Sequence, residues 1–185
     1  WEFLAVGQGK GVDMQVPLHI LHLNQDDPRK CTAKKLEHRN LAQIHERPQS
    51  LPRRGFLLHP EAQIPFSPLD DKLISMGGSI IALDCSWKNI GESFAGMRKL
   101  TNLEWRRLPA LLPANPVSWG KIGRLSSAEA IGATLAILGY WDQAKELMRP
   151  FNFGEQFLQL NMEPLLEYSQ SRSIDEIHSK ECDFF

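Results

Sequence analysis

SIIALDCSW, residues 79–87, decides the fold: it is apolar on both faces as far as Asp84 and turns polar there. A strand with one wet face alternates apolar and polar residues, whereas one apolar on both faces is buried between layers, as in parallel sheets. Working outward, MQVPLHILHLN (14–24) and GFLLHP (55–60) read as two more buried strands, and NLEWRRLPALL (102–112) contains another extended piece. Thr32 opens a short basic helix, TAKKLEHRN. Ser67-Pro68 followed by Asp70 and Asp71 is a helix start, and residues 91–100 read as helical. Strands alternating with short helices predict an α/β fold, a mostly parallel sheet with covering helices on both sides.

From Ser126 the period becomes helical. Ser126 and Glu129 have capping-box spacing, Ile131, Leu135 and Leu138 fall on one face, and Gly139 ends the helix. WDQAKELMR (141–149) and FGEQFLQL (153–160) continue the pattern. Asn161 is placed to cap a helix carrying Pro164 and Leu165, and Ser173 with Glu176 to form a second capping box. The expected division is an N-terminal α/β domain over 1–106 and an all-helical C-terminal domain over 107–185. WEFLAVGQGKG lacks an initiator Met and a basic leader, so residues 1–12 read as an extraneous or disordered leader, or as part of a truncated chain.

With 185 residues, ordinary apolar and charged fractions and a net charge of −1, the chain is a folded globular protein, not a wholly basic nucleic-acid binder. It has no apolar run of membrane-spanning length, about 20 residues. Cys31, Cys85 and Cys182 are odd in number and far apart, which reads as reduced thiols in a cytoplasmic protein. His19 and His22 are three apart on a strand and point to opposite faces, so no zinc site assembles and no metal is expected.

The chemistry is suggested by polar residues in apolar runs. Asp84, Ser86 and Asn115, with Trp87 and Trp119 at turns and the breakers Pro113, Pro116 and Gly120, belong to a ligand cleft more than to a core. Asp84, near the end of an apolar strand, faces the ligand edge of an α/β sheet or caps the next element. Thr32 offers a hydroxyl and helix N–H groups to an anion, a role compatible with plain capping. Basic pairs at Arg29-Lys30, Lys34-Lys35, Arg53-Arg54, Arg106-Arg107 and Lys121/Arg124 suit either a solvated face or a surface that gathers RNA phosphates.

Three segments together resemble the 18S rRNA aminocarboxypropyltransferase family, which has short archaeal members. They are DDPRKCTAKKL (26–36), GFLLHP through SPLDDKL and LDCSW (55–87), and RLPALLPANPVSWGKIGRLSSAEA through FNFGEQFLQLN (107–161). The resemblance implies a SPOUT-like fold related to knotted methyltransferases, with a deep trefoil knot. It implies S-adenosylmethionine as cofactor and a (methylpseudo)uridine of small-subunit rRNA, late in pre-ribosomal particle assembly, as acceptor of a 3-amino-3-carboxypropyl group. Carried over by position, Thr32, Leu83, Trp87, Leu108, Leu125 and Ser127 would hold the cofactor, the backbone atoms of Leu83, Leu108 and Leu125 doing the polar work at adenine and ribose and Trp87 covering the methyl group. Asp84 would bind the cofactor's ammonium or act as the base. The family commonly has Tyr at the position of Trp119, Gly-Arg-Pro at Gly120-Lys121-Ile122 and Cys-Val at Ser127-Ala128. Two other functions compete: a knotted-fold RNA methyltransferase, and a non-enzymatic metal-binding or assembly module.

Overall fold

The computed structural model describes residues 15–22, 32–84 and 102–185. The strands are β1 (Leu18–His22), β2 (Gln43–His45), β3 (Gly55–Leu58), β4 (Ser79–Asp84) and β5 (Glu104–Arg106). They pair in parallel throughout, in the order β2-β1-β4-β3-β5. Alternate side chains go to opposite faces. Ile20, Phe56, Leu58, Ile80 and Ala82 enter the large core under the helices, while Leu21, Leu57 and Ile81 enter a smaller cluster with Leu51 and Leu103. Ile80 and Ile81 are each fully buried, one on each face, and such burial contributes about 1.5–3 kcal/mol per side chain. The reading of 79–87 as a two-sided strand therefore holds as far as Asp84; residues 85–87 and the expected helix over 91–100 lie outside the described residues.

The helices among the described residues are α1 (Thr32–His38), α2 (Asp71–Ser75), α3 (Ser127–Ile137), α4 (Trp141–Met148), α5 (Gly154–Leu160), α6 (Met162–Ser169) and α7 (Ile174–Phe184). Ser67 and Asp70 cap the 3₁₀ turn that leads into α2. Arg106 of β5 ion-pairs with Asp70 at 3.1 Å, which ties the edge strand to that turn. α3 departs from the one-faced helix expected: every residue but Ala130 is buried. It packs on β4 as well as on α1, α4, α5 and α6. A helix buried all round carries no amphipathic stripe, and its small residues admit close neighbours. A Cβ on Gly132 would lie 3.0 Å from the Met148 sulfur. One core cluster runs from Val16 to Ile177 and draws on both halves of the chain.

From Arg107 to Asn115, after β5, the chain is extended, and its backbone needs hydrogen-bond partners. Arg107 still pairs with the 64–66 segment. Beyond it, side chains from the helices supply the partners. Glu181 takes the Arg107 guanidinium at 2.7 and 2.9 Å and the Ala110 N–H at 2.8 Å, and the Tyr168 hydroxyl donates to the Ala110 carbonyl. Asn161 meets both the N–H and the carbonyl of Leu112 at 2.8 Å. Glu129 accepts the N–H groups of Ala114 and Asn115 at 2.7 and 2.9 Å, the Asn115 amide at 2.6 Å, and both N–H and O–H of Ser126 at 2.8 Å. The Ser126–Glu129 capping box is thus present, with a larger task than capping.

Two capping expectations are corrected. The Asn161 side chain makes no cap to α6, because it is committed to Leu112 and the Phe157 carbonyl. Ser173 does cap α7 through the Glu176 N–H, but the Glu176 carboxyl reaches the Arg172 N–H instead of closing a reciprocal box.

Glu129 is fully buried, so removing its oxygens strands several donors, each at about 1–3 kcal/mol. Glu129→Ala is expected to lower unfolding free energy by at least about 3 kcal/mol in urea titrations. A loss under about 1 kcal/mol would show that the clamp is dispensable.

Candidate functional site

The order β2-β1-β4-β3-β5 reverses direction at the junction of β1 and β4. In open parallel sheets, ligands bind in the crevice beyond the strand carboxyl ends at such a point. Here the last residues of β1 and β4, His22 and Asp84, stand side by side in register. His22 Nδ1 lies 2.7 Å from Asp84 Oδ2. The His22 side chain is buried and that of Asp84 nearly so. With Nδ1 protonated, the imidazole donates to the carboxylate and fixes its orientation.

The start of α3 arrives over this pair. Ser127 Oγ is 3.4 Å from the other carboxylate oxygen of Asp84, and 2.9 Å from the hydroxyl of Thr32 at the start of α1. Ser127 and Thr32 are 95 positions apart, and Asp84 and Ser127 are 43 apart. The group combines a carboxylate, two hydroxyls and the positive N-terminal end of an eleven-residue helix. Such a set matches a zwitterion: an ammonium beside Asp84, and a carboxylate among the hydroxyls and helix N–H groups.

Of the residues expected to hold the cofactor, Thr32 and Ser127 meet at Asp84. Leu108 and Leu125 pack on the large core on the same side. Leu83 does not join them: alternation turns its side chain to the opposite face, beside Trp105 and the smaller cluster. Only its backbone is available at the strand end. Trp87 lies outside the described residues. Among the basic residues, Lys34 and Lys35 lie in the short helix α1 that Thr32 opens, Lys35 in its last turn, and Lys121 and Arg124 lie on the exposed approach to α3. Arg53 and Arg54 do not converge with these. They precede β3, at the amino edge of the parallel sheet, where the Arg54 carbonyl accepts the Ser79 N–H. His22 is the residue that sequence reasoning missed; its partner is 62 positions away, and only strand register brings the two together.

His19 and His22 do point to opposite faces. His19 Nδ1 meets His45 Nε2 at 2.9 Å, and His45 Nδ1 meets the Ser50 hydroxyl at 3.1 Å. Burial first, and then the charge of His45, hold His19 down at about 4. Burial also lowers His45, against the pull of Ser50. Among the described residues, no group of three or more His, Cys, Asp or Glu could hold a metal ion, and no helix is long and apolar enough to cross a membrane.

Residues 56–185 match the family described as "Ribosome biogenesis protein, C-terminal". Residues 16–50 match a "Possible Fer4-like domain in RNase L inhibitor, RLI". That second name suggests an iron–sulfur cluster, which takes four cysteine thiolates. Residues 16–50 contain Cys31 alone, so the segment does not fit a cluster. The chain is 46% identical over 162 residues to the 16S rRNA aminocarboxypropyltransferase of Methanosarcina mazei, covering 88% of this chain and 91% of the relative. It is 36% identical over 167 residues to the protein of that name from Methanocaldococcus jannaschii, covering 90% and 95%. A solved structure, the SAM-dependent rRNA:acp-transferase Tsr3 from Vulcanisaeta distributa, matches with a TM-score of 0.78 and 31% identity, covering 92% of this chain and 98% of that one.

The depressed His19 sets a pH dependence. An unfolded histidine titrates near 6.5, so between about 6.5 and 4 the unfolded chain binds the extra proton. This contribution to stability is complete above pH 6.5 and is lost as pH falls toward 4. Thermal melts should therefore show a lower Tm at pH 5 than at pH 7, with His19→Gln flattening the difference. An equal drop in wild type and variant would place the acid sensitivity elsewhere.

Proposed function

The chain belongs to the 16S rRNA aminocarboxypropyltransferase family, and from that premise we propose that it transfers a 3-amino-3-carboxypropyl group from S-adenosylmethionine to a uridine or methylpseudouridine of small-subunit rRNA. The observation that carries the reading is the Asp84–His22 pair at the switch point, with Ser127 and Thr32 beside it. When bound, S-adenosylmethionine supplies a γ-carbon on a positive sulfur, so that breaking that bond returns its electron pair to sulfur and leaves methylthioadenosine.

The residues of this chain do the rest. Ser127, Thr32 and the α3 N-terminus hold the methionine carboxylate. Leu108 and Leu125 offer apolar contact to adenine and ribose, with the Leu83 backbone at the strand end. Trp87, three positions beyond Asp84, walls off the methyl group so that the γ-carbon faces the acceptor. Asp84 accepts the imide proton as the ring nitrogen bonds to that carbon. His22 is a positioning residue, since its hydrogen bond keeps the Asp84 carboxylate from rotating away. In this reading the domain over 1–106 supplies the Asp84–His22 pair together with Thr32, Leu83 and Trp87, and the helical domain over 107–185 completes the cofactor cradle with Leu108, Leu125 and Ser127. A SPOUT-like trefoil knot belongs to the same proposal, carried by the family resemblance; the chain does return from the β5 edge to the carboxyl end of β4. Action on pre-ribosomal particles in the cytoplasm, without a metal, completes it.

Lys34, Lys35, Lys121 and Arg124 are the proposed phosphate contacts near the site. Arg53 and Arg54, at the far edge of the sheet, serve as an outlying contact for a longer RNA.

Incubation with S-adenosylmethionine and small-subunit rRNA should release methylthioadenosine; S-adenosylhomocysteine as the product would make the enzyme a methyltransferase instead. At saturating cofactor, Asp84→Asn should slow transfer by about 10²–10⁴-fold. His22→Ala should slow it less and alter the pH–rate profile. A wild-type rate for Asp84→Asn would remove the carboxylate from the chemistry.

Salt titrations of RNA binding test the phosphate contacts. Lys34→Ala/Lys35→Ala should lower the slope of log affinity against log salt by roughly 0.7 for each phosphate no longer neutralised. Arg53→Ala/Arg54→Ala should do so only with RNA long enough to reach the far edge. An unchanged slope for Lys34 and Lys35 would move the RNA surface away from α1.

A further inference from the structure

We propose that Trp119 is a stacking platform for an unpaired nucleotide of the RNA substrate; this rests on the reading of the chain as an rRNA-modifying enzyme and adds to it the conformation of RNA that the enzyme selects. Within six residues, Val117, Trp119 and Ile122 are all exposed, at 77%, 57% and 51%. Three large apolar side chains exposed within one loop offer apolar surface to a partner.

The tip is held on a rigid base. Below it, Asn115 is locked to the buried Glu129, and the Asn115 side-chain oxygen accepts the Ser118 N–H at 2.9 Å. The Gly123 N–H bonds to the Leu111 carbonyl at 2.9 Å, and turn bonds link Lys121 to Ser118 and Arg124 to Lys121. Gly120 and Gly123 take φ of +74° and +75°, a conformation that side-chain-bearing residues rarely adopt. The indole is therefore presented by a preformed turn, which lowers the ordering cost of binding.

Charge identifies the occupant. Residues 106–128 contain Arg106, Arg107, Lys121 and Arg124 and no Asp or Glu. The first two pair with Asp70 and Glu181; Lys121 lies among the exposed apolar residues of the tip and Arg124 two positions beyond Ile122. An exposed aromatic face near cations is a combination that binds single-stranded nucleic acid: the ring takes a base and the cations take phosphates. Trp119 is only eight residues from Ser127, at most about 28 Å of extended chain. A nucleotide stacked there is thus within a short single-stranded stretch of the one at Asp84. A base drawn out of a helix needs such support, because unpaired bases are read by stacking while paired ones are hidden.

The test compares affinities of the full chain for a single-stranded oligouridylate and for an RNA duplex of equal length, by fluorescence anisotropy. Trp119→Ala is expected to weaken single-strand binding by about tenfold, to leave duplex binding and S-adenosylmethionine affinity unchanged, and to keep the salt slope. Trp119→Phe should recover most of the loss. Unchanged oligouridylate binding by Trp119→Ala, as expected if a protein covers the tip, overturns the proposal; so does an equal loss on duplex. Binding is read without turnover, so a wild-type enzyme that stacks RNA yet releases no methylthioadenosine would refute the transferase reading alone.

Discussion

Residues 107–115 are an extended peptide that leaves the sheet at Arg107, and their backbone is held by side chains from the helices. Glu181, Tyr168, Asn161 and Glu129 meet Ala110, Leu112, Ala114 and Asn115 in turn. Buried N–H and C=O groups without partners are costly, so this segment and the helices order each other. Glu129 is the junction. It fixes the end of the extended run at Asn115 and the start of α3 at Ser126, two points eleven residues apart. The loop between them is thereby closed at its base and free to present its tip.

The consequences reach the site through α3. That helix is buried on every side and packs directly on β4, so its first turn is placed relative to the strand whose end is Asp84. Ser127 meets Asp84 and Thr32 because Glu129 holds the turn that carries Ser127. The sheet contributes the other half: parallel pairing of β1 with β4 sets His22 against Asp84. Two independent constraints, strand register and a helix cap, thus aim at one carboxylate.

Much of this was legible in the sequence, and the rest was hidden for physical reasons. The two-sided apolar run of β4 revealed a parallel sheet, and Ser126 with Glu129 marked the helix start. β2 was missed because three residues at a sheet edge, one an exposed Gln43, carry no periodic signal. α3 was read as one-faced because a sequence records its own apolar positions but not how many neighbours will surround them. Asp84 and Thr32 stood out as polar residues at element ends, and Ser127 came from the family resemblance by position. His22 did not, because its role exists only across a strand pair whose register no single segment encodes. Leu83 was assigned by position for its backbone; its side chain, by alternation, lies on the other face. Asn161 looked like a cap; its amide was needed by Leu112.

The claim that the extended segment builds the cofactor site is tested most directly at Asn161, which touches Leu112 and not Asp84. Titration calorimetry of S-adenosylmethionine binding to Asn161→Ala, at a temperature where melts show it folded, isolates that link. The account predicts a folded protein whose cofactor affinity falls by roughly tenfold, because slack at Leu112 is passed through Glu129 to Ser127. Full cofactor affinity in a variant that is merely less stable would contradict it, and would make the clamp a support for the fold alone.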